Sequence, residues 1–196
     1  MRVVAGTARG RRLRSPDGET TRPTSDRVRE AVFNALHSQG LVQDARIADL
    51  FAGSGALGIE ALSRGAAHVW FVESDRGAQA VIDDNLRTLD LADDATVIRS
   101  TVDRALAPAF ADDLDVVLAD PPYAFDGWEE LCAAVAPMLV DDGLLVAESG
   151  EAITLPAGWE KMRERTYGGT VITFALPPRG DPPEPAFPDD RSGADA

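Results

Sequence analysis

From Arg46 to Leu176 the chain alternates between two hydrophobic periods. Short apolar runs at residues 47–51, 68–73, 96–98, 115–120 and 144–148 read as strands. Between them, residues 56–64, 75–89 and 128–139 read as helices, the second with Ala78, Val81, Ile82, Asn85 and Leu89 at helical spacing. Residues 115–120 are apolar at both parities, the mark of a strand buried on both faces. Residues 160–167 and 170–176 read as a closing antiparallel pair around Gly168-Gly169. Strands alternating with helices predict an α/β domain whose mostly parallel sheet is covered on both faces.

The ends of the chain follow other rules. Residues 2–13 read as a hairpin with Val3, Val4 and Leu13 as apolar points and Gly6 and Gly10 as punctuation. Residues 23–26 read as a helix start capped by Thr24 or Ser25, with Val28, Val32, Phe33 and Leu36 on one face. From Pro177 onward come six of the 13 prolines and five acidic residues, a composition that predicts disorder. The expected division is an N-terminal hairpin and basic arm (1–24), one domain (25–176) and an acidic, proline-rich tail (177–196).

Composition narrows the class. A chain of 196 residues, 44% hydrophobic, can bury a core without staples. Cys132 is the lone cysteine, so no internal disulfide is possible, and it reads as a small core residue. His37 and His68 stand far apart without Cys or His at ligand spacing, so no metal site is expected. Arginines at 9, 11, 12 and 14 interrupt any signal-like run, and no apolar stretch reaches the roughly 18 residues of a membrane span. The expectation is a cytoplasmic protein with no membrane partner.

Charge changes the picture. The net charge is −14, yet residues 1–29 carry eight arginines against Asp17, Glu19 and Asp26, a net of +5. The remainder holds 11 basic and 30 acidic residues. A basic arm on an acidic body is suited to gripping phosphates. The same arginines also fit a merely solvated surface.

Three features carry chemistry. Asp49-Leu50-Phe51-Ala52-Gly53-Ser54-Gly55-Ala56-Leu57-Gly58 follows a strand and opens a helix. Its glycines allow a tight turn and close backbone approach to a ligand. Glu73, at the end of the second strand, can accept hydrogen bonds from both hydroxyls of a ribose. Together these fit an adenosine-containing cofactor, NAD or S-adenosylmethionine. Asp75 reads as a helix cap. Asp120-Pro121-Pro122-Tyr123 closes the buried fourth strand and favours the second cofactor. Two prolines remove N–H donors and stiffen the backbone, leaving the Asp120 carboxylate and nearby carbonyls as acceptors beside an aromatic ring. That set suits a planar heterocycle bearing an amino group, with Asp120 and the Pro121 carbonyl accepting its two protons and Tyr123 stacking. Arg22, Arg27 and Arg29, close to the hairpin's Arg9, Arg11 and Arg12, are candidate phosphate contacts.

With these residues on the page, the span from Arg2 to about Leu176 resembles the bacterial 16S rRNA guanine-N2 methyltransferases of the RsmD type. The resemblance is carried by Arg2-Val3-Val4-Ala5-Gly6 with Arg9-Gly10-Arg11, and by 22–30 with Phe33-Asn34. It continues through 51–66, Val72-Glu73-Ser74-Asp75 and Asp120-Pro121-Pro122-Tyr123. The glycine loop and the tetrapeptide are common to many methyltransferases; the arginine-rich block is more specific. The resemblance implies a Rossmann-like class I S-adenosylmethionine-dependent methyltransferase fold with an antiparallel C-terminal strand and an N-terminal β-hairpin. It implies methyl transfer to the N2 amine of one guanine in 16S rRNA, with the small ribosomal subunit or an assembly intermediate as partner and the enzyme a monomer. By position, Asp49, Gly53, Gly55 and Glu73 hold the cofactor; Asp120, Pro121, Pro122 and Tyr123 hold the guanine; and Arg9, Arg11, Arg12, Arg22 and Arg27 meet RNA. Where such enzymes usually place Asp or Asn to read adenine, this chain has Ser100-Thr101-Val102-Asp103, so Thr101 or a backbone group takes that place.

Other readings remain open at this point. Asp-Pro-Pro-Tyr also serves adenine-N6 methylation of DNA or RNA, though the chain has no room for a separate target-recognition domain. A glutamine methyltransferase usually carries Asn at the position of Asp120. An NAD-dependent oxidoreductase accounts for Gly53 to Glu73 but gives the tetrapeptide no task. A non-catalytic RNA-binding module leaves the intact glycine loop, Glu73 and Asp120 unexplained.

Overall fold

The computed structural model describes residues 1–16, 26–106 and 113–179. One sheet holds β1 (Arg46–Leu50), β2 (His68–Glu73), β3 (Ala95–Arg99), β4 (Leu114–Ala119), β5 (Leu139–Ser149), β6 (Glu160–Tyr167) and β7 (Thr170–Leu176). Its order is β3-β2-β1-β4-β5-β7-β6. The first five strands in that order run parallel, and β7 enters antiparallel between β5 and β6. The helices are α1 (Asp26–Ser38), α2 (Ala56–Ser63), α3 (Arg76–Thr88), α4 (Val102–Ala105) and α5 (Trp128–Val135).

The two-sided pattern of β4 builds both cores. Val116 and Leu118 join the cluster containing Val32 and Phe33 of α1, Ile59 of α2 and Ile82 of α3. Val117 and Ala119 face the other way, toward Ala105 of α4 and Leu131 and Cys132 of α5. The expected face of α1 is the buried one: Val28, Val32, Phe33 and Leu36. β7 is buried at every position because it lies inside the sheet, whereas the charged β6 forms its edge.

Several boundaries differ from the sequence reading. β5 has 11 residues where five were expected, because pairing begins at Leu139, opposite Leu114, and resumes at Leu144 after a register shift. The intervening Asp141-Asp142-Gly143 looks like a turn in sequence. α5 ends at Val135, and Pro137 sits in a following 3-10 turn, Ala136–Met138. The single turn of α4 is too short to show a helical period.

The hairpin closes with one bridge, Arg2 to Arg12, and not with regular strands. Bonds from Val3 N to Arg11 O, Gly10 N to Val3 O and Leu13 N to Met1 O tie its arms. The reason it forms no longer ladder is that its amides point at α2. Val4 N and Ala5 N donate to Glu60 Oε2 and Oε1 (2.8 and 2.9 Å), and Ala8 N donates to Ser63 Oγ (3.0 Å). Gly6 is left-handed, φ 80°, and a Cβ there would lie 1.7 Å from the Ser63 carbonyl oxygen. Only glycine permits that approach.

Arg29 requires a correction. Among the arginines read as phosphate contacts, it is wholly buried. Its guanidinium donates to Asp26 Oδ1 (2.9 Å) and to the Arg2 carbonyl, and its Nε lies 3.5 Å from Glu60 Oε2. Arg29 therefore joins α1 to the arm and to α2. Thr24, Ser25, Arg22 and the tail beyond Arg179 lie outside the described residues.

Candidate active site

Three strands end level. Leu50 of β1 pairs with Val72 of β2 on one side and with Ala119 of β4 on the other. The glycine loop, Glu73 and Asp120-Pro121-Pro122-Tyr123 therefore leave the sheet side by side, at the carboxyl edge beside the point where strand order reverses. Asp49, Gly53, Glu73, Thr101, Asp120, Pro121, Pro122 and Tyr123 line one open cavity of about 1660 Å³. That exceeds the roughly 300–1,000 Å³ of a single small-ligand pocket, leaving room for a cofactor and a second molecule.

The glycines have separate tasks. Gly53 N donates to Glu73 Oε2 at 2.8 Å, tying the loop to the end of β2. Gly55, φ 76°, is the left-handed residue that opens α2 and is not itself on the cavity wall. Gly58 lets α2 settle on the sheet: a Cβ there would stand 2.3 Å from Phe71 Cε1. Glu73 Oε1 accepts from Asp75 N (2.7 Å), and Asp75 caps α3 by accepting from Ala78 N (2.8 Å). Each carboxylate oxygen of Glu73 thus carries one backbone donor, which fixes its orientation and leaves lone pairs for two hydroxyls.

Asp49 is buried, and its Oδ2 accepts from Gly58 N at 2.8 Å. Burial raises its pKa well above the ordinary value; the Gly58 hydrogen bond opposes this, and the charges of Asp120 and Glu73 add to the rise. The carboxylates of Glu73 and Asp120, which line the same cavity, suit a cationic group such as a sulfonium. The donors and acceptors present are of the kinds S-adenosylmethionine requires: Glu73 could hold the ribose, the glycine-loop backbone the chain of the molecule, and Thr101 or its neighbours beyond β3 the adenine.

The second half of the cavity is aromatic. Tyr123 is 71% exposed, and its ring lies 3.1 Å from where a Cβ on Gly150 would stand. Phe51 meets Phe125 edge-on at 5.4 Å, and Phe125 meets Trp128 at 5.2 Å. Phe51 has φ 61°, unusual for an aromatic residue, and this turns the chain sharply as it leaves β1. Phe125, Trp128 and the rim residues Met1 and Tyr167 were not read as site residues from sequence. No local pattern marks them, because it is tertiary structure that brings them together.

Among the described arginines, Arg9, Arg11, Arg12 and Arg27 lie outside the cavity wall. Arg9, Arg12 and Arg27 are exposed, while Arg11 is exposed and donates to the Thr88 carbonyl. No group of His, Cys, Asp and Glu among the described residues could hold a metal ion.

A family described as "conserved hypothetical protein 95" matches residues 1–176. Ribosomal RNA small subunit methyltransferase D of Escherichia coli is 39% identical over 173 residues, 86% of this chain and 85% of that one. The chain belongs to the ribosomal RNA small subunit methyltransferase D family. Bacillus subtilis YlbH, 40% identical over 181 residues, covers 89% of this chain and 97% of its own. The solved structure of Escherichia coli yhhF superposes with a TM-score of 0.80 at 37% identity, over 92% of this chain and 99% of that one. This member of the family is accordingly a methyltransferase of class I fold, a class whose methyl donor is S-adenosylmethionine. No described helix is long and apolar enough to cross a membrane.

Proposed function

We propose that the protein transfers the methyl group of S-adenosylmethionine to the exocyclic N2 amine of a guanine in the 16S rRNA of the small ribosomal subunit, in the cytoplasm. The observation that carries this reading is the level ending of β1 and β4 at Leu50 and Ala119, which brings the cofactor loop and the Asp120 tetrapeptide to one cavity. The exposed Tyr123 ring offers a stacking platform for the base. The Asp120 carboxylate and the Pro121 carbonyl accept the two N–H groups of the amine.

An aryl amine is a poor nucleophile because its lone pair is delocalised into the ring. Two acceptors holding its protons favour a tetrahedral nitrogen and aim the lone pair toward the methyl. The rate gain comes from positioning and from negative charge beside a nitrogen that turns positive. Asp120 then takes the proton that the methylated nitrogen releases. Arg9, Arg11, Arg12, Arg22 and Arg27 supply phosphate contacts that an otherwise acidic surface lacks.

The test is transfer of labelled methyl to unmethylated small subunits, naked 16S rRNA, DNA and a protein substrate in parallel, followed by digestion to nucleosides. N2-methylguanosine at one rRNA site is the expected product. Methyladenine would overturn the base assignment, and label in protein would overturn the substrate class.

A further inference from the structure

Five of the eight residues of β6, Glu160-Lys161-Met162-Arg163-Glu164-Arg165-Thr166-Tyr167, are charged. Three of the 11 basic residues that follow Arg29 fall in these eight positions, within a body otherwise dominated by acids. Simple alternation would put Lys161, Arg163 and Arg165 on one face. The pairing with β7 does not alternate simply. Lys161 lies opposite Ala175 and Arg163 opposite Phe174, with a register shift at Met162 between them. Residues opposed across a ladder share a face. Lys161 and Glu164 therefore fall together on the Ala175 and Thr173 side, where they form an ion pair at 2.8 Å. Arg163, Arg165 and Tyr167 fall on the other side, opposite Phe174, Ile172 and Thr170.

That second face belongs to the core of α1, since Ile172 and Phe174 pack in one cluster with Val28 and Val32. Tyr167 packs against the same cluster and, with Thr170, Met1 and Val28, lines the active-site cavity. From the cavity rim the face runs Tyr167, Arg165, Arg163, with Glu160 at its far end opposite Leu176. Both arginines are exposed, and Arg165 donates to the neighbouring Glu164 carbonyl. The arginines stand a two-residue step apart, about 7 Å along the strand. An aromatic residue at a cavity followed by evenly stepped cations is the layout of a single-strand nucleic-acid groove.

We infer that the Arg163 and Arg165 face of β6 is a second RNA-backbone contact, which guides the strand that carries the target nucleotide into the cavity. It rests on RNA being the substrate, and it is separate in sequence from the arginines of residues 1–29.

The test compares wild type, R163E/R165E, R163Q/R165Q and, as a control on the opposite face, Lys161→Gln. Binding to unmethylated small subunits and to 16S rRNA is measured across a salt series. Thermal melting and S-adenosylmethionine affinity report on the fold. The charge reversal is expected to weaken RNA binding about tenfold or more. Both double variants should lower the slope of log K against log salt by about two, one per lost phosphate contact, with melting and cofactor affinity unchanged. Lys161→Gln should match wild type. Wild-type affinity and slope in both double variants, alongside an effect of replacing Arg9 and Arg12, would overturn this inference alone. Absence of RNA binding by wild type would overturn the proposed substrate as well.

Discussion

Glu60 decides where the N-terminal arm sits, and its removal has a calculable consequence. The side chain is wholly buried. It accepts from Val4 N, Ala5 N and Arg64 Nε at 2.8, 2.9 and 2.7 Å, and lies 3.5 Å from the buried Arg29 Nε. Glu60→Ala leaves the Arg29 guanidinium without its buried counter-charge, a loss worth about 3–5 kcal/mol. The two amides lose their acceptor and recover water only if the arm lifts off. A total near 4 kcal/mol corresponds, for a chain of this size, to a fall in Tm of roughly 8–16 °C. Urea denaturation followed by circular dichroism measures the loss, and amide hydrogen exchange at Val4 and Ala5 reports detachment. Glu60→Gln, which keeps one acceptor and loses the charge, should fall between the two. A loss under about 1 kcal/mol with Val4 and Ala5 still protected would refute the reasoning.

Four further outcomes are expected. Asp120→Ala should lower single-turnover methyl transfer by about 100-fold or more, while titration calorimetry finds S-adenosylmethionine affinity unchanged; turnover near wild type would contradict its role. Glu73→Ala removes the acceptor of Gly53 N and Asp75 N as well as the expected ribose contacts, so cofactor affinity should drop by roughly tenfold or more; an unchanged Kd would place the ribose elsewhere. The raised pKa of Asp49 means that the native state holds a proton the unfolded chain has released above pH 3.8. Stability is therefore lost as pH rises through the folded pKa. Asp49→Asn, which keeps an acceptor for Gly58 N, should gain on wild type over that window, and a pH-independent difference in denaturation midpoints would contradict this. Burial pushes the Cys132 thiol up to about 11, so native protein should resist a thiol reagent at about pH 8 and react fully in urea; rapid native labelling would show the helix opening.

The placement of the glycine loop, Glu73 and the Asp120 tetrapeptide at strand ends was legible because it depends on patterns tied to local spacing. Gly55 needs a left-handed turn, Gly58 a bare helix face, and Asp75 a cap three residues before an amide. Arg29 was misread for the opposite reason. In sequence it is one more arginine in a basic block, and only the packing of α1 against Glu60 shows that it is buried. The register shift in β6 is equally invisible, because a strand's two faces are defined by its partner and β7 lies outside any local window. Phe51, Phe125 and Trp128 share a wall through backbone turns that no periodicity encodes.

By itself, then, the sequence determined the alternation of strand and helix, the two-sided burial of β4, the glycine turn that opens α2 and the Asp75 cap of α3. These follow from side-chain period, backbone freedom and hydrogen-bonding capacity, which act over a few residues. Tertiary structure alone decided that β7 enters between β5 and β6, that the arm is fastened to α2 through Glu60 and Ser63, and which arginines meet solvent. Those outcomes depend on contacts between residues as much as 58 positions apart, where desolvation and pairing, set by the neighbours brought together, outweigh local preference.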